Sequence, residues 1–242
     1  MFKNIEDKKR KLDSLRPLKT ETVKSIREKL LLDWTYNSNA IEGNTLTLVE
    51  TKVVLEGITI GGKTLREHLE VINHKEAILY VEEIVKNEEP LTEWQIKNIH
   101  SIVLKGINDN YTGIYRDQNV IISGAMHIPP DYILLNELMS QFIDWYNSKE
   151  VQEMNPIERA ARVHGEFVKI HPFIDGNGRT ARLLLNLELM KSGYPPIVIK
   201  NNRRVEYYEA LDKAHTIGDY SYFITIVKQE IENSIDLYLS LL

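Results

Sequence analysis

Apolar residues recur at intervals of three and four positions along almost the whole 242-residue chain, which is the spacing of one face of an α-helix. Proline and glycine divide this pattern into segments, and strands do not alternate with helices as a parallel sheet requires. The sequence therefore predicts an all-α fold. The expected helices cover residues 3–15, 20–34, 47–55, 65–86, 92–105, 133–147, 156–170, 178–191, 203–215 and 220–239.

One region departs from the helical pattern. Between Gly106 and Pro130 the chain contains two short β-prone runs, 113–116 and 119–122, separated by polar residues. Such runs around turn-forming residues favour a small β-hairpin. An irregular loop between two helices is the alternative.

Composition limits the class of protein. Apolar residues make up 43% and charged residues 27% of the chain, a balance typical of a globular protein. No apolar run approaches the roughly 20 residues that span a bilayer, and the first residues lack the apolar core of a signal peptide, so we expect a cytoplasmic protein without a membrane partner. The net charge of −5 argues against nucleic acid as a partner. The absence of cysteine excludes disulfides, thiolate nucleophiles and cysteine-ligated zinc.

The chemically richest stretch runs from His171 to Arg182. Gly176 and Gly178 flank Asn177 immediately before the apolar run 183–190, so this turn is expected at the N-terminus of a buried helix. Unpaired N–H groups and the positive end of the helix dipole would then face an incoming anion. The turn predicts a phosphate site.

Four side chains beside this turn suit phosphate chemistry. Asp175 could cap the helix or hold a divalent cation against phosphate oxygens. Arg179 and Arg182 are three residues apart and are expected to project on one side, where guanidinium groups can grip phosphate. His171 precedes a proline, which disfavours helix there, and could act as a base. The sequence contains no P-loop, no dinucleotide-binding glycine motif, no His-Glu-x-x-His and no Gly-x-Ser-x-Gly.

The stretch resembles the signature of the Fic family, His-x-Phe-x-(Asp/Glu)-Gly-Asn-Gly-Arg-x-x-Arg, and the resemblance extends over about 90–225. It implies a helical domain with a β-hairpin flap, and most such proteins are adenylyltransferases that move AMP from ATP to a Ser, Thr or Tyr hydroxyl with Mg²⁺ or Mn²⁺. Every defined position is matched, by His171, Phe173, Asp175, Gly176, Asn177, Gly178, Arg179 and Arg182.

The resemblance also implies a role for each matched position. His171 would be the base, Phe173 a core anchor and Asp175 the metal ligand. The three residues 176–178 would cradle phosphates, and Arg179 and Arg182 would bind the outer ones. Flap positions that would cover the nucleotide and pair with the target segment are Ile121, Ile122, Ser123 and Gly124. Positions near the adenine would be Tyr207, Tyr208 and His215, although the tyrosines could equally be core residues.

A second match lies far upstream. Ser38-x-x-x-Glu42-Gly43 fits the inhibitory pattern of autoinhibited Fic proteins. If residues 38–42 form a helical turn, Ser38 and Glu42 share a face, and Glu42 would pair with Arg182 and deny it to ATP. The expected organisation is a helical extension over 1–60, with an inhibitory helix at about 35–44, followed by a catalytic domain over 61–242.

The expected activity is therefore autoinhibited transfer of AMP from ATP to a target protein or to the chain itself. The alternatives are removal of AMP by the same site, transfer of another nucleotide or phosphate group, and a catalytically silent nucleotide-binding regulator or one subunit of a toxin–antitoxin pair. The resemblance also suggests a homodimer.

Overall fold

The computed structural model describes residues 2–242 and confirms the all-helical fold. Over these residues it contains eleven α-helices, three short 3₁₀ segments and no β-strand. No helix of this described part is both long and apolar enough to cross a bilayer. The α-helices are α1 (Lys3–Ser14), α2 (Thr20–Ile41), α3 (Leu48–Leu55), α4 (Leu65–Lys86), α5 (Glu93–Leu104), α6 (Leu135–Asn147), α7 (Lys149–Gln152), α8 (Pro156–Ile170), α9 (Asn177–Lys191), α10 (Arg204–Ile217) and α11 (Ser221–Ser240), and the 3₁₀ segments are Asp109–Tyr111, Tyr132–Leu134 and Asn201–Arg203.

Helix α9 lies at the centre of the molecule. It packs against α8 and also contacts α2, α4 and α5, so its apolar residues 183–185, 187 and 189 are buried around the whole helix rather than on one stripe. The N-terminal helices join the same hydrophobic core, since Ile5 and Trp34 belong to it together with Phe167. The expected division of the chain near residue 60 stays a prediction.

Helix α2 is longer than its apolar periodicity indicated and includes most of the expected inhibitory helix at 35–44. The apolar periodicity ends at Trp34 and a polar segment follows, yet the helix continues without a break to Ile41. The polar residues remain helical because they are buried and hydrogen bonded to other parts of the fold: Asn37 Oδ1 accepts from the Asn201 N–H at 2.9 Å, and the Asn39 amide donates to the Glu70 carbonyl at 3.3 Å. Tertiary contacts therefore outweigh the low helix propensity of this segment.

The predicted β-hairpin does not form in this structure. Residues 113–130 run as turns and extended chain without strand pairing, and the alternative of an inter-helix loop is correct. A turn does close from the Ala125 N–H to the Ile122 carbonyl, but the β-prone side chain of Ile121 is 85% exposed. Without a buried face to pack on, a two-stranded ribbon has little to stabilise it. We call residues 113–130 the flap loop.

Candidate active site

The loop between α8 and α9 is held in shape by its own residues. His171 ends α8 in the left-handed conformation (φ 52°, ψ 57°), and its N–H donates to the Phe167 carbonyl. Gly176 begins α9 at φ 78°, a conformation that glycine adopts without strain. The Asn177 side chain closes the loop, because it accepts from the Phe173 N–H at 3.0 Å and donates to the Phe173 carbonyl at 2.7 Å.

His100 packs against this loop. Its ring stacks on Phe173 with the centroids 3.6 Å apart. The Gly113 N–H donates to Nδ1 at 2.9 Å, so Nε2 carries the ring proton and donates to the Asp175 carbonyl at 2.9 Å. Burial lowers the pKa of His100 to about 4, which keeps the ring neutral. No local sequence pattern marked this residue.

Arg116 ties the flap loop to the catalytic loop. The side chain is 2% exposed. Its Nε donates to the His171 carbonyl at 3.0 Å, and its two terminal nitrogens donate to the carbonyls of Gln118 and Pro130. Its backbone N–H also donates to the Pro172 carbonyl. No sequence pattern indicates this role, since a lone arginine in a loop is usually solvated.

His171 is suited to accept a proton. Burial lowers its pKa to about 4, so the imidazole is neutral near pH 7. Its left-handed backbone and the anchored carbonyl hold the main chain of His171 in place. A neutral histidine can act as a general base, and the lowered pKa makes it a weaker base than a free imidazole.

An anionic side chain lies beside the first turn of α9. The Glu42 carboxylate lies against Gly178, so closely that a methyl group added at Gly178 would overlap Glu42 Oε1. Helix N-termini attract negative charge through free N–H groups and the helix dipole. Glu42 therefore lies at the position where the sequence predicts a phosphate site.

Arg182 holds Glu42 in that position. Its Nη2 lies 2.7 Å from Glu42 Oε1 and 2.8 Å from the Ser38 carbonyl, while Nε donates to Ser38 Oγ at 3.0 Å. Burial works to lower the pKa of Arg182, but the Glu42 charge and the Tyr207 hydroxyl raise it, and the net shift is upward. Arg182, 3% exposed, stays charged.

Asp175 and Arg179 belong to a second group of charges. Asp175 Oδ1 accepts from the Gly176 N–H at 2.6 Å and from Arg179 at 3.0 Å, while Oδ2 accepts from Arg66 at 2.6 Å. Glu70 completes a ring by contacting both arginines, at 3.1 Å from Arg66 and 3.3 Å from Arg179. Burial acts to raise the pKa of Asp175, but Arg179 and its other partners outweigh burial and lower it, so the group is a carboxylate.

The two arginines of the motif therefore serve different partners. Arg179 faces Asp175 and Glu70, whereas Arg182 faces Glu42 and Ser38.

Asp175 fits a cation that is shared with phosphate. Its side chain is 37% exposed, and Mg²⁺ typically takes one or two carboxylates together with substrate phosphates and water. No group of three or more His, Cys, Asp or Glu side chains within residues 2–242 is arranged to hold a metal. A cation here would thus need oxygen ligands from a bound nucleotide as well as Asp175.

The positions expected near the adenine lie on α10 and differ in exposure. Tyr207 is 1% exposed, and its hydroxyl lies 2.9 Å from His164 Nε2 and 3.4 Å from Arg182. Tyr208 is 40% exposed and donates to the Ile41 carbonyl at the end of α2. His215 is 9% exposed, with Nε2 3.0 Å from the Gly165 carbonyl.

The expected flap residues lie on the surface. Ile121, Ser123 and Gly124 are exposed, and Ile122 is half-buried. The flap loop is anchored further along, where Asp212 accepts from the backbone N–H groups of Met126 and His127.

Known proteins resemble this chain in sequence. The model of the Fic/DOC family matches residues 90–189. The chain is 40% identical over 242 residues to protein adenylyltransferase Fic of Nematostella vectensis, covering 99% of this chain and 56% of that protein. It is 36% identical to protein adenylyltransferase fic-1 of Caenorhabditis elegans, covering 99% of this chain and 47% of that protein. The chain thus spans about half the length of these curated relatives.

Solved structures share the fold. A fragment of C. elegans Fic-1 superposes with a TM-score of 0.88 at 34% identity, covering 99% of this chain and 71% of that one. A Fic domain containing signaling protein from Bacteroides thetaiotaomicron gives a TM-score of 0.89 at 32% identity, covering 98% and 96%. Fold and site together define a helical domain in which His171 and Glu42 lie near the start of α9. The chain belongs to the Fic/DOC family.

Proposed function

We propose that this chain is a protein adenylyltransferase, which moves AMP from ATP to a Ser, Thr or Tyr hydroxyl of a target protein or of itself. One observation carries the proposal: a neutral His171 lies near the first turn of α9, where the Glu42 carboxylate adjoins Gly178 and pairs with Arg182. The relatives named protein adenylyltransferase support the same reaction.

The proposed chemistry is an in-line displacement at the α-phosphate. His171 takes the proton of the target hydroxyl, whose oxygen forms a bond to the α-phosphorus while the bond to the leaving pyrophosphate breaks. The N–H groups of α9 and the guanidinium of Arg182 stabilise the negative charge on the phosphates. A divalent cation bound through Asp175 would neutralise phosphate charge. The products are the AMP-modified protein and pyrophosphate.

Glu42 would keep the enzyme inactive. The guanidinium that should grip the outer phosphate is bound by Glu42 at 2.7 Å and by Ser38, and a carboxylate already fills the anion site at Gly178. ATP would have to displace Glu42 before its α-phosphate could face His171. The isolated chain is therefore expected to be inhibited.

Labelling with tagged ATP tests this function. We expect Glu42→Gly to label itself or lysate proteins far more strongly than wild type, and we expect Glu42→Gly combined with His171→Ala to label neither. Equal labelling by wild type and Glu42→Gly would contradict autoinhibition. Labelling that survives His171→Ala would rule out His171 as the base. Mass spectrometry of the products identifies the adduct, the target and the modified residue, and so separates AMP from other transferred groups.

Removal of AMP is a second candidate for the same site. The Glu42 side chain is 31% exposed beside the anion site, so its carboxylate could orient a water molecule toward a bound phosphate. Wild type should then release AMP from a target modified by Glu42→Gly, whereas Glu42→Gly should not. The homodimer stays a prediction, and a change of labelling per molecule with protein concentration would test it.

A further inference from the structure

We propose that Arg66 covers the cation-binding oxygen of Asp175 and competes with the divalent cation for it, so that Arg66 sets the cation concentration that the site needs. The proposal rests on the proposed function in one respect, the use of Asp175 as the metal ligand. Arg66 lies outside the family motif and is a positioning residue by this account.

The two oxygens of Asp175 have different partners. Oδ1 accepts from the Gly176 N–H at 2.6 Å and from Arg179 at 3.0 Å, contacts that shape the turn itself. Oδ2 accepts from Arg66 at 2.6 Å. Oδ2 is therefore the oxygen that can be offered to a cation without dismantling the loop, and Arg66 occupies it.

The two arginines also differ in their freedom to leave. The Arg179 side chain is 1% exposed and is held between Asp175 and Glu70. The Arg66 side chain is 57% exposed, so it can turn toward water at little desolvation cost. A cation and the Arg66 guanidinium cannot share Oδ2, because like charges at that separation repel. Binding of the cation requires Arg66 to move.

Glu70 can remain paired with Arg66 after Arg66 leaves Asp175. Arg66 Nε lies 3.1 Å from Glu70 Oε1, so the arginine can release Asp175 while its other contact remains. Glu70 Oε2 also accepts from the Asn44 side chain at 2.9 Å, two residues after Glu42. Since the inhibitory segment touches the same carboxylate, the competition should be measured with Glu42 already removed.

Direct cation binding in the Glu42→Gly background tests the proposal. Mn²⁺ is titrated into a fixed concentration of a non-hydrolysable ATP analogue with and without the protein, and the loss of the free Mn²⁺ signal in electron paramagnetic resonance beyond that caused by the analogue alone reports binding at the site. We expect Arg66→Gln to lower the half-saturating Mn²⁺ concentration by about fivefold, the size expected for loss of a half-exposed ion pair. Arg66→Lys should give a smaller change because it keeps a charge near Asp175.

Two controls make the result decisive. Arg27→Gln removes another half-exposed arginine, one that pairs with Glu82 far from the site along α2 and α4, and should leave Mn²⁺ binding unchanged. Asp175→Asn should weaken Mn²⁺ binding in both the Arg66 and the Arg66→Gln backgrounds. An unchanged half-saturation in Arg66→Gln, an equal change in Arg27→Gln, or binding insensitive to Asp175→Asn would overturn the proposal.

The readout is separate from catalysis. A chain that shows the Mn²⁺ shift but transfers no AMP would contradict the proposed function and support the role of Arg66. A chain that transfers AMP but shows no Mn²⁺ shift would support the proposed function and contradict the role of Arg66. Circular dichroism of each variant confirms that the helices are intact before the titrations are compared.

Discussion

The free energy of the contact between Glu42 and Arg182 can be measured with a series of substitutions at Glu42. Arg182 is 3% exposed and Glu42 is 31% exposed, with 2.7 Å between Nη2 and Oε1. Glu42→Gln keeps the shape of the side chain and removes its charge. Glu42→Gly removes the side chain altogether, so the two variants separate the charge from the volume of the inhibitory group.

The structure sets the expected size of each step. Breaking a fully buried ion pair costs about 3–5 kcal/mol. Because Glu42 is a third exposed and Arg182 keeps its contacts to Ser38, we take about 2 kcal/mol for this pair, a factor of about 30 in the population able to bind ATP. A glutamine retains a neutral hydrogen bond worth roughly half of the charged one, so about 1 kcal/mol is lost, a factor of about 5.

Calorimetric titration of each variant with Mg·ATP measures these factors. His171→Ala is included throughout so that no nucleotide is consumed. The apparent Kd should fall about fivefold for Glu42→Gln and about 30-fold for Glu42→Gly. Glu56→Gln, which alters an exposed glutamate just after α3, serves as the control and should bind ATP as wild type does.

Two outcomes would contradict these expectations for ATP binding. If Glu42→Gly binds ATP no more tightly than wild type, Glu42 does not occupy the phosphate site. If Glu42→Gln already binds as tightly as Glu42→Gly, the ion pair carries the whole effect, and the estimate that divides it between charge and hydrogen bond is wrong.

Three further outcomes follow from the site. Gly178→Ala should destabilise wild type, because its methyl group overlaps Glu42. In Glu42→Gly the same change should lie within about 1 kcal/mol of neutral, because alanine favours helix but its methyl group still lies 3.1 Å from Arg182 Nη1; urea unfolding of the four proteins checks this. Arg116→Ala should lower the unfolding free energy by about 3 kcal/mol, because it leaves buried carbonyls unpaired, and should weaken labelling in the Glu42→Gly background. Burial lowers the pKa values of His171 and His100 from 6.5 to about 4, so between these pH values the unfolded chain binds protons that the folded chain does not. As the pH falls through this window, the unfolding free energy should fall by at most about 1.4 kcal/mol per pH unit for each ring, and replacing His100 by Gln should reduce that slope in urea unfolding at several pH values.

Most of the helices could be predicted because their apolar spacing is regular. The bounds 65–86 and 156–170 agree with α4 and α8. Helix α2 exceeded its predicted end because residues 35–41 are polar, and only their burial against other helices makes them helical. The hairpin prediction failed because β-propensity reports how a side chain packs on a sheet, and the exposed Ile121 has no sheet to pack on.

The residues of the candidate site also fall into those that the sequence could predict and those that it could not. The loop from His171 to Arg182 could be recognised because its residues are adjacent in sequence and dense in chemistry. Arg116, His100 and Arg66 could not, since each acts through a contact made by the fold with a residue between 55 and 109 positions away. Each is an ordinary residue in its local sequence, and only the tertiary structure brings it to the loop.

The position of the phosphorus atom that is transferred distinguishes AMP transfer from phosphoryl transfer. Glu42→Gly is incubated with ATP labelled with radioactive phosphorus at either the α or the γ position, and the protein fraction is then counted. We expect the α label to enter protein, the γ label not to enter it, and His171→Ala to abolish the incorporation. Incorporation of the γ label would show phosphoryl transfer instead, and would contradict AMP transfer as the reaction of this site.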